Sequence, residues 1–145
     1  RYNDQVVDAI LARFTDRDAI AVYLSDHGEE VYDYRDFFCR SHDLPLTPEV
    51  CKYQFEIPFM IWMSDTYRRN RPDVAAQVAG ALDRPFSADD LSHLLLDLAG
   101  IRCRWYDPAR SLIGERFDTT RPRPLLMGFE PAGNYETIIG RDRKQ

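Results

Sequence analysis

The chain of 145 residues holds no run of 18 or more apolar residues, so no segment reads as a membrane-spanning helix. It has no excess of positive charge either. Against 24 Asp and Glu stand 19 Lys and Arg, a formal net charge of −5, and a general nucleic-acid binder would be basic. No internal repeat and no low-complexity tract occurs, and no signal-peptide pattern opens the chain. It begins at Arg1 rather than Met, as a processed or excised piece would. Cysteine is scarce: Cys39, Cys51 and Cys103. Cys39 and Cys51 could close a loop, worth roughly 2–4 kcal/mol if the geometry allowed. The alternative is three free thiols packed as small apolar residues. Histidine is as scarce, at positions 27, 42 and 93. What remains is ordinary for a soluble globular chain, 44% apolar and 30% charged, and long enough for one compact domain with a sizeable core.

Hydrophobic periodicity sets out the elements. Val6, Val7, Ile10, Leu11 and Phe14 recur at helical spacing and predict a helix over 3–14 with one buried face. Asn3 or Asp4 stands where a cap belongs. Ile20-Ala21-Val22-Tyr23-Leu24 is a β-branched apolar strand. Residues 31–53 are polar and irregular and read as a long loop, a kind that is usually functional. Residues 57–64 are apolar throughout, as in a strand buried on both faces, and Pro58 marks its start. Helices are expected over 71–82, with Pro72 in the first turn, and from Ser87-Ala88-Asp89-Asp90 to Gly100. In the second, Leu91, Leu94, Leu95 and Leu98 form a stripe, and His93 lies opposite it, in a surface or helix-packing role rather than a catalytic one. Pro122-Arg123-Pro124 followed by Leu125-Leu126-Met127 suggests a late edge strand, and Asn134 to Gly140 another short one. Arg110, Arg116, Arg121 and Arg123 form either a salt-bridged surface or a contact for an anionic headgroup. Helix, strand, then polar turn is the doubly wound α/β order.

The first strand runs straight into Ser25-Asp26-His27-Gly28-Glu29. It delivers a carboxylate and an imidazole side by side to the carboxyl end of a sheet, where open α/β folds keep their chemistry. Both groups are good ligands for zinc, and Gly28 lets the backbone turn at once. A bare Asp-His after a strand is more often just a turn with a satisfied His.

The wider context resembles the alkaline-phosphatase superfamily, and within it the sulfatase-like phosphoethanolamine transferases that decorate lipopolysaccharide. The family pattern is an apolar strand, Ser-Asp-His-Gly-Glu, a loop with a second His near a Pro, then a strand that starts apolar-Pro and runs into a Trp. Here these are residues 20–29, Ser41-His42-Asp43-Leu44-Pro45, and Ile57-Pro58-Phe59-Met60-Ile61-Trp62-Met63-Ser64. The resemblance runs from about Tyr2 to about Leu126. It departs at Asp43, where the family carries Gly, and in a longer loop between the two histidines.

That resemblance implies the C-terminal part of an alkaline-phosphatase-like α/β domain, with a mixed or mostly parallel sheet flanked by helices. It implies zinc bound by Asp26 and His27, and His42 as a contact for the phosphoryl group or a second metal. Glu29 matches the family's Glu without an assigned role. Phosphatidylethanolamine is the implied donor, with lipid A or a core sugar of lipopolysaccharide as acceptor, at the periplasmic face of the inner membrane. Membrane attachment comes from helices ahead of the catalytic domain. A periplasmic setting favours a Cys39–Cys51 bridge. The early carboxylate ligand and the Thr nucleophile have no counterpart in this chain, which on its own is expected to be inactive. Two other readings compete. A sulfatase shares Ser-Asp-His-Gly and places a Lys and a Glu before the next strand, as Lys52 and Glu56 loosely do. A non-catalytic binding domain would tolerate loss of Asp26 and His27.

Overall fold

The computed structural model describes residues 2–42 and 45–142. They form two compact units, Arg1–Tyr23 with Phe59–Thr119, and Leu24–Pro58 with Thr120–Gln145.

In the first unit, helix α1 spans Tyr2–Ala12 and strand β1 spans Ile20–Leu24. Strand β4, Phe59–Met63, is β1's only sheet neighbour among the described residues. The Ser64 N–H donates to the Ala19 carbonyl at 3.0 Å, so the start of β1 lies beside the end of β4 and the two run in opposite directions. β4 begins two residues later than the apolar run, after Pro58, which has no N–H to give a ladder. Expected to be buried on both faces, β4 is half-buried except at Met63.

Ser64 joins three pieces of backbone. Its hydroxyl donates to the Arg17 carbonyl at 2.6 Å and accepts from the N–H groups of Ala19 and Tyr67. The Tyr67 bond caps helix α3, Asp65–Asn70, an element the hydrophobic pattern did not announce. Helix α4, Pro72–Ala79, then starts with Pro at its first turn as expected. A 3₁₀ turn over Ala88–Asp90 leads into α5, Leu91–Leu98, and Gly100 ends it at φ +67. Leu94 is fully buried with Met63, Tyr67, Val78, Ala81, Leu112 and Ile113. Burying each large aliphatic side chain contributes about 1.5–3 kcal/mol.

Two expectations for this unit are corrected. α1 has no fully buried residue: Ile10 is 52% and Val6 39% exposed, while Val7 and Leu11 are half-buried. Leu95 of the leucine stripe faces water, whereas His93 is buried. The His93 Nδ1 accepts the Asp107 N–H at 3.0 Å, a helix-packing role.

The second unit fills the stretch 31–53 with structure. β2, Glu30–Val31, pairs antiparallel with β3, Phe38–Cys39. Helix α2, Pro48–Gln54, is capped by Thr47, whose hydroxyl accepts from the Val50 N–H. β5, Pro124–Met127, and β6, Glu130–Asn134, form an antiparallel pair with a bulge at Leu125/Leu126. Residues 134–140, expected as a strand, mostly belong to helix α6, Tyr135–Asp142. Ile138 at three residues from Tyr135, and Ile139 at four, give the helical spacing that packs this helix on Leu46, Val50, Cys51 and Met127. All three cysteines are free thiols: Cys39 is exposed on β3 and Cys51 is buried in α2. The bridge favoured by a periplasmic setting is therefore absent, since Cys51 points into the apolar core. Burial pushes its thiol pKa up to about 11.

Candidate metal and phosphoryl site

The residues after β1 form a tight polar turn. Ser25 Oγ donates to the His27 carbonyl at 2.7 Å, and the His27 N–H donates to Asp26 Oδ1 at 3.1 Å. His27 Nδ1 lies 2.9 Å from the Gly28 carbonyl. A carbonyl only accepts, so Nδ1 donates and Nε2 is the ring nitrogen left for a metal. Metal-binding histidines are oriented in this way, the second nitrogen donating to a carbonyl or carboxylate. Nε2 stands 3.7 Å from Asp26 Oδ2, and both side chains reach solvent. Two donors of one tetrahedral zinc, each about 2.0–2.1 Å from it, lie about 3.3 Å apart. The pair thus fits two corners of such a site. Among the described residues no group of three or more His, Cys, Asp or Glu assembles.

Gly28 sits where no side chain could. A Cβ there would stand 2.3 Å from the Tyr53 carbonyl oxygen and 2.9 Å from the Gln54 carbonyl carbon. Its N–H donates to the Gln54 carbonyl at 3.2 Å. The turn is therefore pressed directly on the last residues of α2.

Beneath it lies a buried polar network. Glu30 is 1% exposed, whereas Glu29, the residue that matches the family motif, faces water. Arg35 Nε and Nη2 donate to the two Glu30 carboxylate oxygens at 2.6 and 2.8 Å. Gln54 Nε2 donates to Glu30 Oε1 and, at 3.2 Å, to Ser41 Oγ. The Arg35 hydrogen bonds hold the Glu30 carboxyl below its ordinary 4.5 against the opposing effect of burial, and Gln54 adds to the lowering. The Arg35 guanidinium packs 4.6 Å from the Phe37 ring centre. Nothing in the sequence marks Glu30, Arg35 or Gln54, and Ser41 enters the family pattern only as the neighbour of His42.

His42 directly follows Ser41 and is exposed. The motif departure at Asp43, with Leu44 beside it, lies outside the described residues. The remaining candidates are engaged elsewhere. Glu56 accepts from Tyr135 Oη at 2.5 Å, and Lys52 Nζ lies 5.2 Å from the Tyr53 ring centre. Burial, then the Glu56 carboxylate, pushes Tyr135 up to about 12. Arg110 is paired with Asp90 at 2.6 Å and Arg123 with Glu136 at 2.5 Å, the salt-bridged alternative for these two.

The family model described as Sulfatase matches residues 1–101, and the chain belongs to that family. It is similar to phosphoethanolamine transferase EptC from Escherichia coli, 38% identical over 125 residues, which cover 83% of this chain and 20% of that protein. Kdo(2)-lipid A phosphoethanolamine 7''-transferase, also from Escherichia coli, is 32% identical over 75 residues, 52% of this chain and 12% of that one. The crystal structure of the C-terminal periplasmic domain of EptC in complex with Zn superposes with a TM-score of 0.75 at 33% identity, covering 94% of this chain and 38% of that one. The α/β fold expected from the motifs is the one these comparisons show. The chain spans about a fifth of the length of EptC.

Proposed function

We propose that this chain is the C-terminal portion of a single sulfatase-like catalytic domain, that of a zinc-dependent phosphoethanolamine transferase. The parent protein moves phosphoethanolamine from phosphatidylethanolamine to lipopolysaccharide, on lipid A or a core sugar, at the periplasmic face of the bacterial inner membrane. Helices outside this chain attach it there. The single observation that carries the reading is the Asp26–His27 turn, with its oriented imidazole, in a chain of the sulfatase family.

Asp26 Oδ2 and His27 Nε2 would hold the zinc. When bound, zinc lowers the pKa of a coordinated hydroxyl and stabilises charge that develops on a phosphoryl group. The Gly28 carbonyl orients the His27 ring through Nδ1 and leaves Nε2 as the nitrogen for metal. His42 contacts the phosphoryl group. The nucleophile and the remaining ligands belong to other parts of the parent. Catalytic zinc sites normally use three protein ligands, so this polypeptide alone should hold zinc weakly and transfer nothing. Turnover by the isolated chain would overturn that.

The test uses the parent protein in a bacterial host, with lipopolysaccharide read by mass spectrometry. The parent is expected to add phosphoethanolamine, and His27→Ala to abolish the addition. The fragment that carries the added mass identifies the acceptor. An unchanged envelope with the intact parent present would sink the reading.

A further inference from the structure

Two loops that carry candidate site histidines converge on one residue. Gln54, the last residue of α2, takes the Gly28 N–H on its backbone carbonyl and gives its side-chain N–H groups to Ser41 and Glu30. Gly28 is next to His27, and Ser41 is next to His42. Glu30, held by both Gln54 and Arg35, fixes the start of the β2–β3 hairpin that separates them. We infer that Gln54, with Glu30 and Arg35, is a positioning clamp that sets the His27 turn and the His42 loop against one another.

The chemistry of position 54 supports this over simple packing. The side chain is 1% exposed, and its Oε1 is buried with no hydrogen-bond partner among the described residues. A Leu or Met would fill the same volume without stranding a buried oxygen. What an amide adds here is a two-pronged donor aimed at Glu30 and Ser41. Rigid hydrogen-bonded supports of this kind tune metal sites from outside the ligand set. The charge is balanced too, since Arg35 neutralises Glu30 inside the unit. The role assigned is positioning, because none of the three residues need touch zinc or substrate.

The inference rests on the proposed zinc site, and its test separates the two. The intact parent protein is compared with Gln54→Met and Glu30→Gln. Zinc affinity is measured by chelator competition, transfer from fluorescent phosphatidylethanolamine by kcat and KM, and local opening by hydrogen–deuterium exchange. Gln54→Met is expected to weaken zinc about tenfold or more, to lower kcat with KM nearly unchanged, and to speed exchange in both the 26–30 and the 38–42 segments. Ser64→Ala, which loosens the other unit, controls for general destabilisation and should leave zinc affinity alone. Unchanged exchange in either segment in Gln54→Met overturns the clamp, whatever zinc does. Faster exchange with unaltered zinc affinity overturns its role at the metal. A wild-type parent that binds no zinc defeats the zinc reading itself, and the exchange data still decide the clamp.

Discussion

Gly28 has backbone where any other residue would have a side chain. A methyl group there would meet the Tyr53 carbonyl oxygen at 2.3 Å, and neither partner is a flexible side-chain end that can swing away. Gly28→Ala is expected to destabilise by about 1–3 kcal/mol, in line with other overpacked sites, and to lower zinc affinity, as read by urea unfolding and metal titration. Its neighbour Glu30 sets a pH dependence. The Arg35 hydrogen bonds lower its folded-state pKa below 4.5, so the unfolded chain binds the proton more readily. The stability it contributes is present above the unfolded value and is lost as pH falls through the folded one. Glu49, lowered by its own backbone and Thr47, and Glu136, lowered by Arg123, act in the same sense. Glu30→Gln should therefore lower the melting temperature at pH 7 and flatten, without abolishing, its decline below pH 4.5. Equal slopes in the two proteins would refute this. At this scale the turn at Asp26, His27 and Gly28 was legible, because an apolar strand that breaks into Asp-His-Gly is a pattern. Glu30 was not. Two adjacent glutamates look alike in a sequence, and only the turn decides that the second one faces inward.

Among the elements, α3 and α2 show what periodicity misses. Each is short, so its apolar residues are too few to display a 3.6-residue repeat, and its signal lies in its cap. Thr47-Pro48-Glu49 carries the N-cap, the first-turn Pro and the acidic first turn together, and Ser64-Asp65 does the same more faintly. Both motifs stood in plain view inside stretches that read as loop and strand end. The 134–140 segment failed for the opposite reason. Read as a strand by its apolar content, it keeps Tyr135, Ile138 and Ile139 on one helical face against α2. The cap at Ser64 has a measurable weight. Ser64→Ala would strip the Tyr67 and Ala19 N–H groups of their acceptor and the Arg17 carbonyl of its donor. A loss of about 1–3 kcal/mol is expected, with α3 and the start of β1 exchanging faster; a loss below about 0.5 kcal/mol would contradict the hub assigned to it.

At the level of the whole molecule, the α/β class followed from the order of helix, apolar strand and polar turn, whereas the burial of α1 and of both faces of β4 did not. The physical cause is that periodicity reports which face an element would bury, not whether anything covers it. Tyr2, Val6, Ile10 and Phe14 are all exposed. That stripe has a consequence for anyone who handles this polypeptide by itself. Water-facing aromatic and branched side chains in a row are adhesive, and a charge of −5 spread over 145 residues gives only modest electrostatic repulsion once salt screens it. Its colloidal behaviour is thereby set. The shelf life of a concentrated stock will depend more on ionic strength and on a mild detergent than on the melting temperature of either core.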